Sequence, residues 1–283
     1  MAGRRLIWRG LDFPSPAMIG CEKGKMSRHR SSLAVVAPIG LLMVLLLGWI
    51  MTTAFSGVPR HVLPGLDDVA RRLWSGLVVQ ADTWSFAGVS LTEALAGSAV
   101  GLAVALPLAV VIFHFRLASA AVTPFLGASQ AIPAVALAPI LALWMASGFW
   151  RVVALCALVV FFPILISSVV GLRHIDHDIL AAAQVDGANG WAKLTHIELP
   201  LALPQILAGI RNGFTLSITG SFVGEMVMGG QGLGSLLMIQ WYSFDTAGMF
   251  ATIVLLAALA AIIHGLVLLA ERAWADTLIE EKR

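Results

Sequence analysis

The chain is short of charge. Only 12% of its 283 residues are Asp, Glu, Lys or Arg, while 59% are hydrophobic. A soluble domain carries about 25% charged residues, so water is excluded as the solvent for much of the surface, and lipid takes its place. Cysteine is also scarce. Cys21 and Cys156 cannot build a disulfide framework, and Cys156, inside an apolar run, reads as a small core residue. No GxxxxGK[ST] phosphate loop is present. The nearest fragment, Gly24-Lys25-Met26, lacks both the hydroxyl residue and the preceding glycine pattern. A net charge of +2 leaves no footprint for nucleic acid. His174-x-x-His177 has no further ligands nearby, so no metal site is expected. The run Gly229-Gly230-Gln231-Gly232-Leu233-Gly234 follows no strand and reads as a turn, not a nucleotide cradle. His264 is alone in the last apolar run, without the Ser-His, paired-Asp or metal set that an intramembrane enzyme needs. The apolar runs also hold almost none of the charges that couple a stand-alone secondary transporter to an ion.

What the chain does have is long apolar runs. They predict an all-α membrane protein with about six transmembrane helices, at 33–54, 88–113 (broken by Pro107), 119–146 (kinked by Pro133 and Pro139), 152–171, 203–227 and 246–270. Residues 1–32 read as a basic tail with seven Lys and Arg against Asp12 and Glu22. Met18 and Met26 are alternative starts. A cleaved signal has an apolar region of about 7–15 residues, and the run at 33–54 is longer, so it reads as an uncleaved first span. The organisation expected is a tail at 1–32, a first span with its outer connection at 33–85, a core at 86–275 and a second tail at 276–283. The basic N-terminus places both chain ends, and the loop 172–202, in the cytoplasm. Gly97 with Gly101, and Gly209 with Gly213, have the GxxxG spacing that lets helices approach closely in a membrane. Packing within one bundle and contact with a second copy both fit that spacing.

One polar stretch interrupts these runs, AAAQVDGANGWAKLTHIELP at 181–200. Asp178, with Asp176 as a second candidate, stands where an N-cap belongs, ahead of an Ala-rich run. Gly187 fits a helix stop. A second short helix is expected at 189–196, with Pro200 closing the segment before the next span. Such a helical loop suits a groove in another protein, and it equally suits the membrane surface.

Ala182-Ala183, Gly187 after three residues, and Ile197-x-Leu199-Pro200 after nine more resemble the EAA loop of permease subunits in binding-protein-dependent ABC importers. Ala181 stands where that family has Glu. If Asp178 is the cap, position 181 is N3, and the missing Glu would have closed a capping box. Gln130-Ala-Ile-Pro133, Ala136-Leu-Ala-Pro139, Phe161-Phe-Pro163 and Gly232-Leu-Gly234 resemble the nitrate/sulfonate/taurine group and its thiamine-precursor and riboflavin relatives. The resemblance covers roughly 88–275. Trp144-Met-Ala-Ser-Gly148 departs from the family's Trp-Phe-Gly-x-Gly turn.

That resemblance implies a type I importer permease fold in a bacterial inner membrane, with no catalysis and no cofactor in this chain. It implies two ABC ATP-binding subunits that bind the ATP, a second permease subunit (a homodimer is the simplest arrangement) and an extracytoplasmic solute-binding protein. Ala181, Ala182, Ala183, Gly187, Ile197, Leu199 and Pro200 would form the ATPase-coupling loop, with Asp178 as its cap. Gln130, Pro133, Ser217, Thr219 and Glu225 are the candidates for the translocation path. Glu225 fits either a gate or a hydrogen-bond hub. For the solute, the resemblance leans towards a nitrogen heterocycle or vitamin precursor, with sulfonate, taurine or nitrate as the alternative.

Overall fold

The computed structural model describes residues 23–55, 57–129 and 133–280. Among them every regular element is helical and none is a strand. The chain divides into two units, 1–58 and 59–283. The described part of the first is α1 (Lys23–Phe55). It takes in the span expected at 33–54 and extends ten residues into the expected tail, where no Pro or Gly interrupts it after Gly24. Its Leu41, Leu42, Val44 and Leu45 are exposed, as suits side chains facing hydrocarbon.

The second unit begins with α2 (Leu66–Trp74), which runs on through a π turn, and continues with α3 (Thr83–His114), α4 (Arg116–Ser129), α5 (Ala138–Trp144) and α6 (Gly148–Arg173). Then come α7 (His177–Val185), α8 (Gly190–Lys193), α9 (Leu199–Met228), α10 (Leu233–Tyr242) and α11 (Thr246–Glu280). Among the described residues α3, α6 and the Thr246–Glu271 part of α11 are long and apolar enough to cross a membrane. The stretch Gly190–Met228, bent by 46° into α10, adds a fourth crossing.

α6 packs against both α3 and α9, and it does so through missing side chains. A Cβ on Gly97 of α3 would run into the Cys156 side chain and come within 2.8 Å of the Val153 carbonyl. A Cβ on Gly209 of α9 would come within 2.6 Å of Ser167 Cβ. Both GxxxG pairs are therefore used inside this chain, one on each side of α6. Cys156 is fully buried between them, as a core residue. Leu155, Val160, Ile164 and Leu165 of α6 complete the core.

Prolines behave differently from the expectation at three places. Pro107 does not break the second span: α3 passes through it without interruption. Inside a tightly packed membrane bundle, the one lost backbone bond is tolerated. The third span, expected as one kinked helix at 119–146, is in two pieces. α4 ends at Ser129, Pro133 is extended, and a single 3₁₀ turn (Ala134–Leu137) leads into α5, with Pro139 in its first turn. There a proline costs nothing, since its N–H would be unpaired anyway. Pro200 does not close the loop either. A π turn at Leu194–Glu198 carries α8 directly into α9, so Pro200 lies within one continuous helix. The Leu199 N–H reaches back to the Leu194 carbonyl, and this added residue in the ladder falls next to the ring that lacks a donor.

Candidate functional site

The polar loop is built from α7 and α8 joined at a glycine. α7 starts at His177 because Asp176, not Asp178, is its N-cap: Asp176 Oδ1 accepts from the Asp178 N–H at 2.9 Å. Asp178, in the first turn, is the donor to that cap. Position 181 therefore lies past N3, and Ala181 displaces no capping-box glutamate. The helix ends in a Schellman motif. The Gly187 N–H donates to the Gln184 carbonyl (3.1 Å) and the Ala188 N–H to the Ala183 carbonyl (2.9 Å). This stop needs a left-handed residue, and Gly187 has φ +87°. Asp176→Ala should destabilise α7 by about 0.5–2 kcal/mol, read as faster hydrogen exchange of the α7 amides. Asp178→Ala removes only a favourable charge from the first turn and should shift that exchange less.

One face of the loop is anchored and the other is bare. Leu180 packs with Leu172, Ile175, Ala202 and Ile206, and Ile197 and Leu199 pack against the same cluster. Ala181, Ala182 and Pro200 are exposed, and Ala183 is half-buried. Beside them Val185 is 88% exposed and Trp191 77%. The foot of the loop carries a charge that sequence reading passed over. Glu198, fully buried in the π turn, lies 3.1 Å from His114 Nε2 at the end of α3 and 3.6 Å from Lys193 Nζ. The loop is thus fastened to α3 as well as to α9.

At the opposite end of the bundle sits a second buried cluster. Glu225 of α9, 1% exposed, accepts from Ser90 Oγ at 2.6 Å and from the Gly234 N–H at 2.7 Å. Ser90 Oγ in turn accepts from the Leu233 N–H at 2.8 Å. Leu233 and Gly234 are the first residues of α10, so Glu225 serves as a remote cap for that helix. Of the two readings of Glu225, this geometry is that of the hydrogen-bond hub. Glu93, one turn along α3 from Ser90, is equally buried, and its Oε2 has no partner. Glu93 and Ser90 had no signal in the sequence beyond being polar inside an apolar run.

A cavity of about 780 Å³ opens between the α5 region, α6, α9 and α11. Its polar wall is Asn212 and Thr215 of α9 with His264 of α11. His264 Nδ1 lies 3.2 Å from Thr215 Oγ1 of α9. The described path candidates do not line this cavity. Pro133 is exposed and adjoins Ala134, which does line it. Ser217 is buried towards α6, its hydroxyl donating to the Phe214 carbonyl at 2.7 Å. Thr219 is exposed, seven residues beyond Asn212 and so on the same face of α9. Gln130 lies outside the described residues.

A bundle of apolar helices packed round α6, with one polar helical loop at its foot, has the build of a polytopic membrane protein. Across residues 97–276 the chain matches the family described as binding-protein-dependent transport system inner membrane component, and it belongs to that family. It is 40% identical over 231 residues to the riboflavin transport system permease protein RibX of Chloroflexus aurantiacus, covering 82% of this chain and 86% of that protein. It is 28% identical to the formylaminopyrimidine transport permease protein ThiX of Halalkalibacterium halodurans, covering 81% and 91%. Among solved structures, the inward-facing MetNI methionine ABC transporter matches with a TM-score of 0.58 at 18% identity, over 72% of this chain and 95% of that one. The fold is the type I ABC importer permease fold. The chain is a permease subunit of binding-protein-dependent import, in a family whose members are not themselves catalytic.

Proposed function

We propose that this subunit moves a riboflavin-like nitrogen heterocycle across the bacterial inner membrane, paired with a second copy of itself. In this reading an extracytoplasmic binding protein delivers the solute, and two separate ABC ATPases bind and hydrolyse the ATP. The 178–200 loop docks on an ATPase, which places the loop and both chain termini in the cytoplasm. The observation that carries the coupling is the loop's bare face. Val185 and Trp191 are large, apolar and exposed beside a small Ala surface, on a loop whose other face is fastened to the bundle. The 40% identity to a riboflavin permease supports the heterocycle over an anion. A cavity wall without Lys or Arg among the described residues supports the same choice.

Reconstitution tests this. Proteoliposomes holding this chain with its cognate ATPase and binding protein should take up riboflavin only when ATP is present. Uptake by this chain without an ATPase would overturn the importer reading. ATP-driven uptake of taurine in place of riboflavin would overturn the solute alone.

A further inference from the structure

The cavity between α5, α6, α9 and α11 holds hydrogen-bonding groups where lipid-facing helices rarely carry them. Asn212 and Thr215 lie at the middle of α9, each about 20 Å from its nearer end at 1.5 Å rise per residue. Polar groups at such depth are costly unless they meet a partner or a polar cavity. Thr215 already donates its only hydroxyl proton to the Arg211 carbonyl at 2.9 Å. The same oxygen lies 3.2 Å from His264 Nδ1, so Thr215 and His264 hold each other on the cavity wall. Asn212 makes no hydrogen bond among the described residues, and its amide both donates and accepts. Facing these groups are apolar walls from Leu158, Phe162 and Leu216.

The charge pattern is as informative. Among the described residues, no Asp, Glu, Lys or Arg lines the cavity. The nearest cation in sequence, Arg211, is tied to Glu271 at 2.7 Å. An anion held here would lose its water without gaining a counter-charge, which costs far more than burying a neutral polar group that finds hydrogen bonds.

We infer that this cavity is a transit subsite for a flat, uncharged, hydrogen-bonding heterocycle. Asn212 and His264 orient its polar edge, and Phe162 and the leucines cover its faces. The permease thereby adds a filter against anions to whatever the binding protein selects. This rests on the importer reading above, and it names the residues by which this chain would recognise its solute.

The test uses the full transporter in proteoliposomes, with riboflavin and taurine as probes. Asn212→Leu and His264→Leu should each lower riboflavin uptake about tenfold, the effect of one lost buried hydrogen bond. The amount of riboflavin moved per ATP hydrolysed should fall in each variant, because neither residue touches the loop. His264→Gln keeps an acceptor and should recover part of the uptake. Independently, thiol labelling of Val159→Cys, a cavity-wall position, should slow when riboflavin is present. That measurement stands even where a leucine variant fails to assemble. Unchanged uptake in both leucine variants would overturn the subsite. So would parallel loss of uptake and ATP hydrolysis, which marks a purely structural role. So would labelling at 159 that riboflavin leaves unaffected, as when lipid fills the space. In each of these cases wild-type uptake of riboflavin is intact, and the importer reading survives. Taurine uptake by the wild type would overturn the subsite together with the solute assignment.

Discussion

A chain carrying Val185→Asp should insert and fold normally, and yet lose uptake completely. Val185 is the last residue of α7 and touches almost nothing in its own chain, being 88% exposed. Surface changes of that kind shift stability by about 0.5 kcal/mol or less. If the loop sits in an ATPase groove, the same residue becomes part of a desolvated interface. A carboxylate there would be buried without a partner, at a cost comparable to a binding hot spot of about 2–4 kcal/mol. Each 1.4 kcal/mol is about a tenfold change in affinity, so the ATPase should no longer co-purify. Val185→Ala, which keeps the groove dry, should retain most of it. Full co-purification and uptake with Val185→Asp would mean that the bare face of the loop meets something other than the ATPase. A loop lying on the membrane surface would give that result.

The sequence carried the spans and the loop well, because both are long-period signals. α3, α6, α9 and α11 each contain an apolar run too long to be missed. The loop's Ala, Gly and Pro spacing survives as a pattern even with Ala181 at its head. Proline was misread for one consistent reason. Rules drawn from helices in water treat it as a stop, whereas Pro107 and Pro200 lie inside helices whose freed groups are sheltered by packing or by a π turn. Only Pro133 marks a true break. The cap was misplaced by two residues because Asp176 and Asp178 are equally good caps by composition. Only the backbone decides between them, and Asp176 is the one in the extended conformation. The polar constellations were the least legible. Ser90 and Glu225 are 135 residues apart in sequence, and Thr215 and His264 are 49 apart. No window along the chain contains either pair. Asn212 lies inside the expected span 203–227, and being polar there gave no sign of which face of α9 it occupies.

Glu225→Leu should be the most destabilising single change outside the core, without altering which solute is carried. The carboxylate satisfies two buried donors, the Ser90 hydroxyl and the Gly234 N–H, and caps α10. An apolar side chain of similar size leaves both donors unpaired. At about 1–3 kcal/mol for each buried orphan, a total loss of about 2–6 kcal/mol is expected, equivalent to a drop of roughly 4–24 °C in Tm for a unit of this size. Glu225→Gln keeps one acceptor but turns an amide towards the other donor, so its effect should be roughly half as large. There is no slack for another side chain to take over. A Cβ on Gly234 would strike the Phe222 carbonyl, and one on Gly232 would strike the carboxylate itself. Ser90→Ala should destabilise in the same way, and the double variant should lose less than the two single losses added together, since both remove one shared bond. Uptake per folded transporter should keep its preference for riboflavin over taurine in every one of these variants, because the cluster lies outside the cavity wall. A preference that shifted with Glu225→Gln, at unchanged Tm, would move Glu225 from the scaffold into the solute path and return it to the gate reading.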